Sequence, residues 1–307
     1  MKRVLFAGEI NVDLVLHGYE AFPSPGREAL VQDSRLVLGS ATAIMAMGLA
    51  RLGAPVAFVG KVGDDLFGRF CLEDMASRGI DVSRVIRDPA LKTGITVSIS
   101  HPGDRALVTH LGAITALTGQ DVPDAALAGV DHLHVSSFFF QDGLRPDLPA
   151  LFARAHRAGL TTSLDTGFDP SGRWDGGLRD TLRETDLFFP NEVELAALSG
   201  CTEPVAGLRA LANGVTRTVA KLGEQGAMTL DGDAVVEVPA CPVEAVDTTG
   251  AGDSFNAGFL RRWLDGAPLV ECLRLGAACG ALSTRALGGT AGQPTLAEAE
   301  ALAGSRA

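Results

Sequence analysis

The chain has 307 residues, 46% of them hydrophobic and 21% charged, which is enough apolar material for the core of a single domain spanning 1–307. Lys plus Arg total 26 against 37 Asp plus Glu, and the resulting net charge of −11 argues against nucleic acid or an anionic membrane as partner. The five cysteines form no CxxC pair, and no apolar run reaches the ~18 residues of a membrane span or the shape of a signal peptide. A zinc site and a disulfide framework are therefore not expected, and a reducing cytoplasm is.

Residues 4–7 read as a buried strand, 41–52 as an Ala/Met/Leu-rich helix stopped by Gly53, and 56–59 as the next strand. The alternation continues with a helix at 66–78, a strand at 131–135, a helix at 148–158, a strand at 160–165, a helix at 178–184 and a strand at 187–189. Helices at 192–199 and 205–213, a strand at 218–221 and a helix at 255–264 complete it. Apolar strands alternating with helices predict an α/β fold with a mainly parallel central sheet flanked by helices, and ligands beyond the carboxyl ends of the strands.

Two stretches, about 14–38 and 94–111, alternate polar and apolar residues instead and carry turn signals at 23–26 and 101–104. They predict a small antiparallel sheet projecting from the body. It could serve as a lid that excludes water, an edge extension, or a dimer contact.

The run Asp247-Thr-Thr-Gly-Ala-Gly-Asp-Ser-Phe-Asn256 places small residues and a carboxylate where a helix begins. The first N–H groups of a helix lack internal partners, so Gly250, Ala251 and Gly252 could cradle a phosphoryl group, with Asp253 beside it to take a proton from a hydroxyl. A tight turn with Asp as a cap is the other reading. The run lacks the Gly-Lys-Ser/Thr ending of a Walker loop, and Phe255 stands where a dinucleotide fingerprint needs glycine.

With Leu38-Gly-Ser-Ala-Thr-Ala-Ile-Met-Ala46 and the segment from Ala50 to Gly68, this run resembles the two signatures of the ribokinase-like (PfkB) carbohydrate kinases, and the likeness runs nearly end to end. The resemblance implies a β lid, ATP and Mg²⁺ as cofactors, and a sugar, polyol or nucleoside hydroxyl as acceptor. It makes Asp253 the base and 250–252 the anion hole. Asn191 and Glu194 match an Asn-x-x-Glu motif that orients phosphate and magnesium through waters, although helix capping explains the same pair. Lys221, Gly223 and Gly226 match a loop along the nucleotide, and Asp247, Thr284 and Gly288 fall where many relatives bind a monovalent cation, K⁺.

On the acceptor side the resemblance points to Asn11, Asp13, Gly39, Ser40 and Thr42. Two departures stand out: Ser40 replaces the second glycine, and Ile44 replaces the asparagine expected there. The loss of that asparagine makes ribose itself a poor expectation, and residues 136–141 likewise lack a glutamate found in ribokinases. Phe138, Phe139 and Phe140 could pack in the core or stack on a base, and Arg105 in the lid could meet an anionic acceptor or only solvent. A nucleoside kinase and a catalytically silent binder are the alternatives to a sugar kinase. The lid edge could pair two copies into a homodimer.

Overall fold

The computed structural model describes residues 1–19, 22, 24–101 and 104–304, with the backbone alone described at 100, 101, 104 and 105. In chain order its strands are β1 Val4–Ala7, β2 Asn11–His17, β3 Asp33–Leu38, β4 Val56–Gly63, β5 Asp81–Asp88, β6 Gly94–His101 and β7 Asp104–His110. They continue as β8 His132–Val135, β9 Thr161–Leu164, β10 Leu187–Phe188, β11 Arg217–Lys221, β12 Ala227–Asp231 and β13 Ala234–Val238. Nine form one sheet in the order β13-β12-β11-β10-β9-β8-β1-β4-β5, parallel from β11 to β5 and antiparallel at the β12 and β13 edge.

The sheet is covered on both faces, and β1 is apolar on both. In β1, Val4 and Phe6 join the core formed with helices Ala41–Arg51, Ala251–Leu264 and Leu269–Ser283, while Leu5 and Ala7 join the core under helix Leu148–Arg157. Buried histidines are paired with a serine: His132 Nε2 and His134 Nδ1 both meet Ser163 Oγ, at 2.7 and 2.6 Å, stitching β8 to β9. Burial lowers His134 to about 3 and His132 well below its usual range, so both imidazoles are neutral.

The second sheet has four strands, β3-β2-β6-β7. It is mixed rather than antiparallel as expected, because β2 pairs with β6 in parallel while β2/β3 and β6/β7 are antiparallel. The reason is topological. The chain leaves the body twice, along β2 and along β6, and the two outgoing strands lie side by side between their returning partners. Two elements of the turn signals, Pro23 and residues 102–103, lie outside the described residues. No helix among the described residues is long and apolar enough to cross a membrane.

Candidate active site

Neighbouring parallel strands deliver their carboxyl ends to one place. Lys221 ends β11, Asn191 bridges to Lys221 just beyond β10, Asp165 follows β9, Ser136 and Ser137 follow β8, and Glu9 follows β1. Over them stands the N-terminus of helix Ala251–Leu264, with Gly250 as its cap residue in the left-handed region (φ 72°) and no side chain capping it. The N–H groups of Gly250 and Gly252 have no partner among the described residues, whereas that of Ala251 donates to Thr248 O at 3.2 Å. The expected three-amide cradle is therefore carried mainly by the two glycines. Gly250 needs to be glycine, since a Cβ there would stand 2.8 Å from Gly289 Cα on left-handed backbone, whereas one on Gly252 would meet only the end of the Lys221 side chain at an ordinary 3.5 Å.

Beneath the helix start lies a charge cluster. Lys221 Nζ donates to Asp165 Oδ2 at 2.6 Å, Asn256 Nδ2 donates to the same oxygen at 2.7 Å, and Gly167 N donates to Oδ1 at 3.0 Å. Burial alone would raise Asp165, but the lysine charge and these hydrogen bonds outweigh it and hold the carboxyl below its ordinary value. Burial first, then the Asp165 charge, raises Asp253 well above the carboxylate range. The same two causes in the same order raise Glu194 to about 7. Burial would lower Lys221, but Asp165 and Glu194 keep it raised and charged.

Asn191 and Glu194 form a reciprocal capping box: Asn191 Oδ1 accepts from Glu194 N at 2.9 Å and Glu194 Oε2 accepts from Asn191 N at 2.8 Å. The capping reading thus holds, while the field of Glu194 still reaches Lys221 and Asp253.

Two cavities meet at the helix start. One, about 660 Å³, is bordered by Lys221, Gly223, Gly226, Ala251, Gly252 and Thr284. The other, about 510 Å³, is bordered by Asn11, Asp13, Ser40, Ile44, Gly250 and Asp253, with lid residues Thr96, Ser98, Leu107 and Thr109 above. The segment 250–253 is the wall between them. The same helix start therefore faces both cavities.

Not every expected acceptor residue reaches that second cavity. Thr42 is fully buried and spends its hydroxyl and its N–H on Glu9, which has grown into a buried carboxyl raised by burial. Gly39 lies beneath the acceptor residues rather than among them, since any Cβ there would overlap Asp13 Oδ1. It is what lets Asn11 Nδ2 and Asp13 Oδ1 meet at 2.9 Å. Ser40 adopts φ 75°, the region that explains the family's glycine, and compensates by donating to Glu9 O at 2.6 Å and accepting from Ala43 N at 3.1 Å as helix cap. Arg105 lies in β7 opposite Ser100, and its side chain is outside the described residues. The phenylalanine run divides: Phe138 and Phe139 are core, and Phe140 borders the second cavity.

Asp247 does not border either cavity. Its Oδ1 accepts from Thr249 N at 2.9 Å and Oγ1 at 2.7 Å, and its Oδ2 accepts from Gly288 N at 2.8 Å. Thr284 O accepts from Val246 N and Asp247 N, at 2.8 and 3.0 Å. The three residues are thus brought together, tying the loop before the helix to the loop at 288–292. Sequence reasoning passed over Glu9 and Asn256 as site residues, and took Asp165 only as the start of a strand-end segment resembling one near the phosphates. The visible signals were a lone acid after an apolar strand, Asp165 closing another strand, and Asn256 one helical turn below Asp253.

The model of the pfkB family carbohydrate kinases matches residues 1–296. The chain belongs to that family. Among its relatives it is 33% identical to the ATP-dependent ribose-1-phosphate kinase of Halopiger xanaduensis, over 92% of each chain. It is 36% identical to the fructokinase of Klebsiella pneumoniae, over 83% of this chain and 88% of that one. The structure of a putative ribokinase II from E. coli in complex with ATP and Mg²⁺ superposes with TM-score 0.86 at 26% identity, covering 99% of this chain and 100% of that one. Family membership makes the protein a phosphotransferase of the carbohydrate kinase type with a ribokinase-like fold, and the relatives' differing names leave the acceptor open.

Proposed function

We propose that the protein transfers the γ-phosphoryl group of ATP to a hydroxyl of a sugar or sugar-like acceptor. One observation carries the reading: an uncapped helix start with two free glycine amides, and a carboxyl beside them, forms the partition between two cavities. Asn11 and Asp13 orient the acceptor's hydroxyls, and Asp253 takes the proton of the attacking one. Its raised affinity for a proton suits a base working near neutrality. The Gly250 and Gly252 amides, with Lys221 behind them, face the charge that grows on the transferring group. The lid sheet over the second cavity excludes water.

Three carboxyl groups, Asp165, Glu194 and Asp253, act on Lys221, Glu9 adds to the field at Asp253, and Asn256 Oδ1 is buried without a partner. Such a surplus of oxygen donors fits a hydrated Mg²⁺. No cluster of three or more His, Cys, Asp or Glu among the described residues could hold a bare metal, so Asn191 and Glu194 would reach Mg²⁺ through water, and bound with ATP it supplies charge neutralisation at the phosphates. Asp247, Thr284 and Gly288 would hold K⁺ by one carboxylate and carbonyl oxygens, bracing the loop that supports Gly250. We read 1–307 as one domain with a lid. Exposed Val108 on that lid suits pairing with a second copy, and five free cysteines suit the cytoplasm. The net charge argues against a nucleic-acid partner.

ADP release measured with Mg·ATP against sugars, polyols and nucleosides tests the reading. Acceptor-dependent ADP formation is expected. A purified protein that binds ATP or a sugar and is stimulated by no acceptor would instead be the silent binder, against which the presence of Asp253 already weighs.

A further inference from the structure

An aromatic residue stands in the open at the edge of the acceptor cavity. Phe168 is 63% exposed, borders the cavity with Phe140 and Pro170, and is not a loose side chain. Asp165 Oδ1 holds Gly167 N on one side of it. On the other, Asp169 accepts from Ser171 N at 2.8 Å, Ser171 Oγ at 2.9 Å and Trp174 N at 2.6 Å. The loop also accepts left-handed backbone at Gly167 (φ 60°) and at Trp174 (φ 54°), the second without the excuse of being glycine. Trp174 then meets Phe168 edge-on at 6.3 Å and Phe139 at 5.6 Å, so the exposed ring is backed by an aromatic chain rooted in the core. Backbone strain and clamping spent to keep an apolar ring in solvent call for a ligand surface there.

The remainder of the cavity says what kind of ligand. Its polar end carries the carboxyl groups of Glu9, Asp13 and Asp253, and no Lys, Arg or His is among the described residues that border it. Among those residues a phosphate or carboxylate on the acceptor would find carboxyl groups and no countercharge. We infer that the acceptor is a nucleoside: a ribose-like polyol held at Asn11, Asp13 and Asp253, with an uncharged flat base lying against Phe168 and Phe140. This rests on the kinase reading for which cavity takes the acceptor. It replaces the unspecified sugar by a class. Aromatic rings hold bases by stacking with little regard to sequence of hydrogen-bond donors, which predicts tolerance among bases.

The test compares adenosine, inosine, cytidine and uridine with ribose, fructose, ribose-1-phosphate and a sugar acid, in wild type, Phe168→Ala and Phe168→Tyr. For at least one nucleoside KM is expected to lie tenfold or more below that of ribose. Phe168→Ala should raise that KM about tenfold or more while kcat and the KM for ribose stay within about twofold, and Phe168→Tyr should restore it. Calorimetric titration of the same nucleosides, without ATP, runs in parallel. A preference for free sugars, sugar phosphates or sugar acids, or a nucleoside KM indifferent to Phe168→Ala, overturns the inference and leaves the kinase reading standing. If no acceptor is phosphorylated, the kinase reading fails instead. Calorimetry then decides alone: nucleoside binding weakened by Phe168→Ala supports the shelf, and no binding removes it.

Discussion

Ionising Glu194 costs stability, and replacing it by glutamine should reveal that cost as a pH-dependent gain. The carboxyl is 5% exposed, and burial together with the Asp165 charge moves it from the ordinary 4.5 to about 7. At about 1.4 kcal/mol per unit, the ionised form in the ligand-free protein is disfavoured by about 3 kcal/mol. A carboxyl whose folded value exceeds its unfolded one binds its proton more tightly when folded. Its contribution is therefore complete below about 4.5 and is lost as pH rises through about 7. Glutamine keeps an oxygen for the Asn191 N–H, so the capping box survives in Glu194→Gln, but it does not titrate. Urea unfolding of both proteins in EDTA should show the variant gaining about 3 kcal/mol on wild type between pH 4.5 and pH 8. A gap between the two that is the same at both pH values would refute the argument that burial and Asp165 strain this carboxylate.

Asp253→Asn should lower kcat by about 10²–10⁴ while calorimetry finds Mg·ATP binding intact; near-normal turnover would remove Asp253 as base. In wild type, because the base must be unprotonated, kcat/KM should rise with pH through the elevated value of Asp253, and a profile flat down to the ordinary carboxylate range would contradict its burial. Ser40→Gly should relieve the φ 75° backbone at the loss of a cap and one hydrogen bond, a net stabilisation of up to about 1 kcal/mol in denaturant unfolding. A clear destabilisation would mean that the Ser40 hydroxyl contributes more than its backbone costs. K⁺ should raise kcat/KM above its value in Na⁺ or choline, and Asp247→Ala should abolish the difference; equal rates of wild type in all three salts would dismiss the cation.

Much of the fold was legible because burial on both faces leaves a simple mark. The apolar run at 4–7 could only be an interior strand, and the helices that follow carried stops such as Gly53, whereas 132–135 and 161–164 are half polar and are buried because His132 and His134 pair with Ser163. β5, with its half-exposed residues, and the Leu269–Ser283 and Leu296–Gly304 helices were passed over. The strand shows neither clean alternation nor an apolar run, and the helices had no motif to draw attention. The lid strands were visible by alternation, but their parallel central pair was not, because pairing direction depends on how two distant excursions lie together.

The helix start at 250–253 could be found in the linear chain because its chemistry is local: small residues, an αL turn and the first amides of one helix are consecutive in sequence. The same holds for the capping box of Asn191 and Glu194. What no linear pattern contains is which strand ends become neighbours. Asp165, Lys221 and Asn256 are joined by hydrogen bonds across 56 and 91 positions. Thr42 turned from the acceptor to Glu9 across 33. The clamped loop that exposes Phe168 beside Asp13 likewise exists only once the sheet is assembled. Local backbone geometry is encoded by adjacent residues, whereas burial, and with it every shifted proton affinity in this site, is a property of the packed whole.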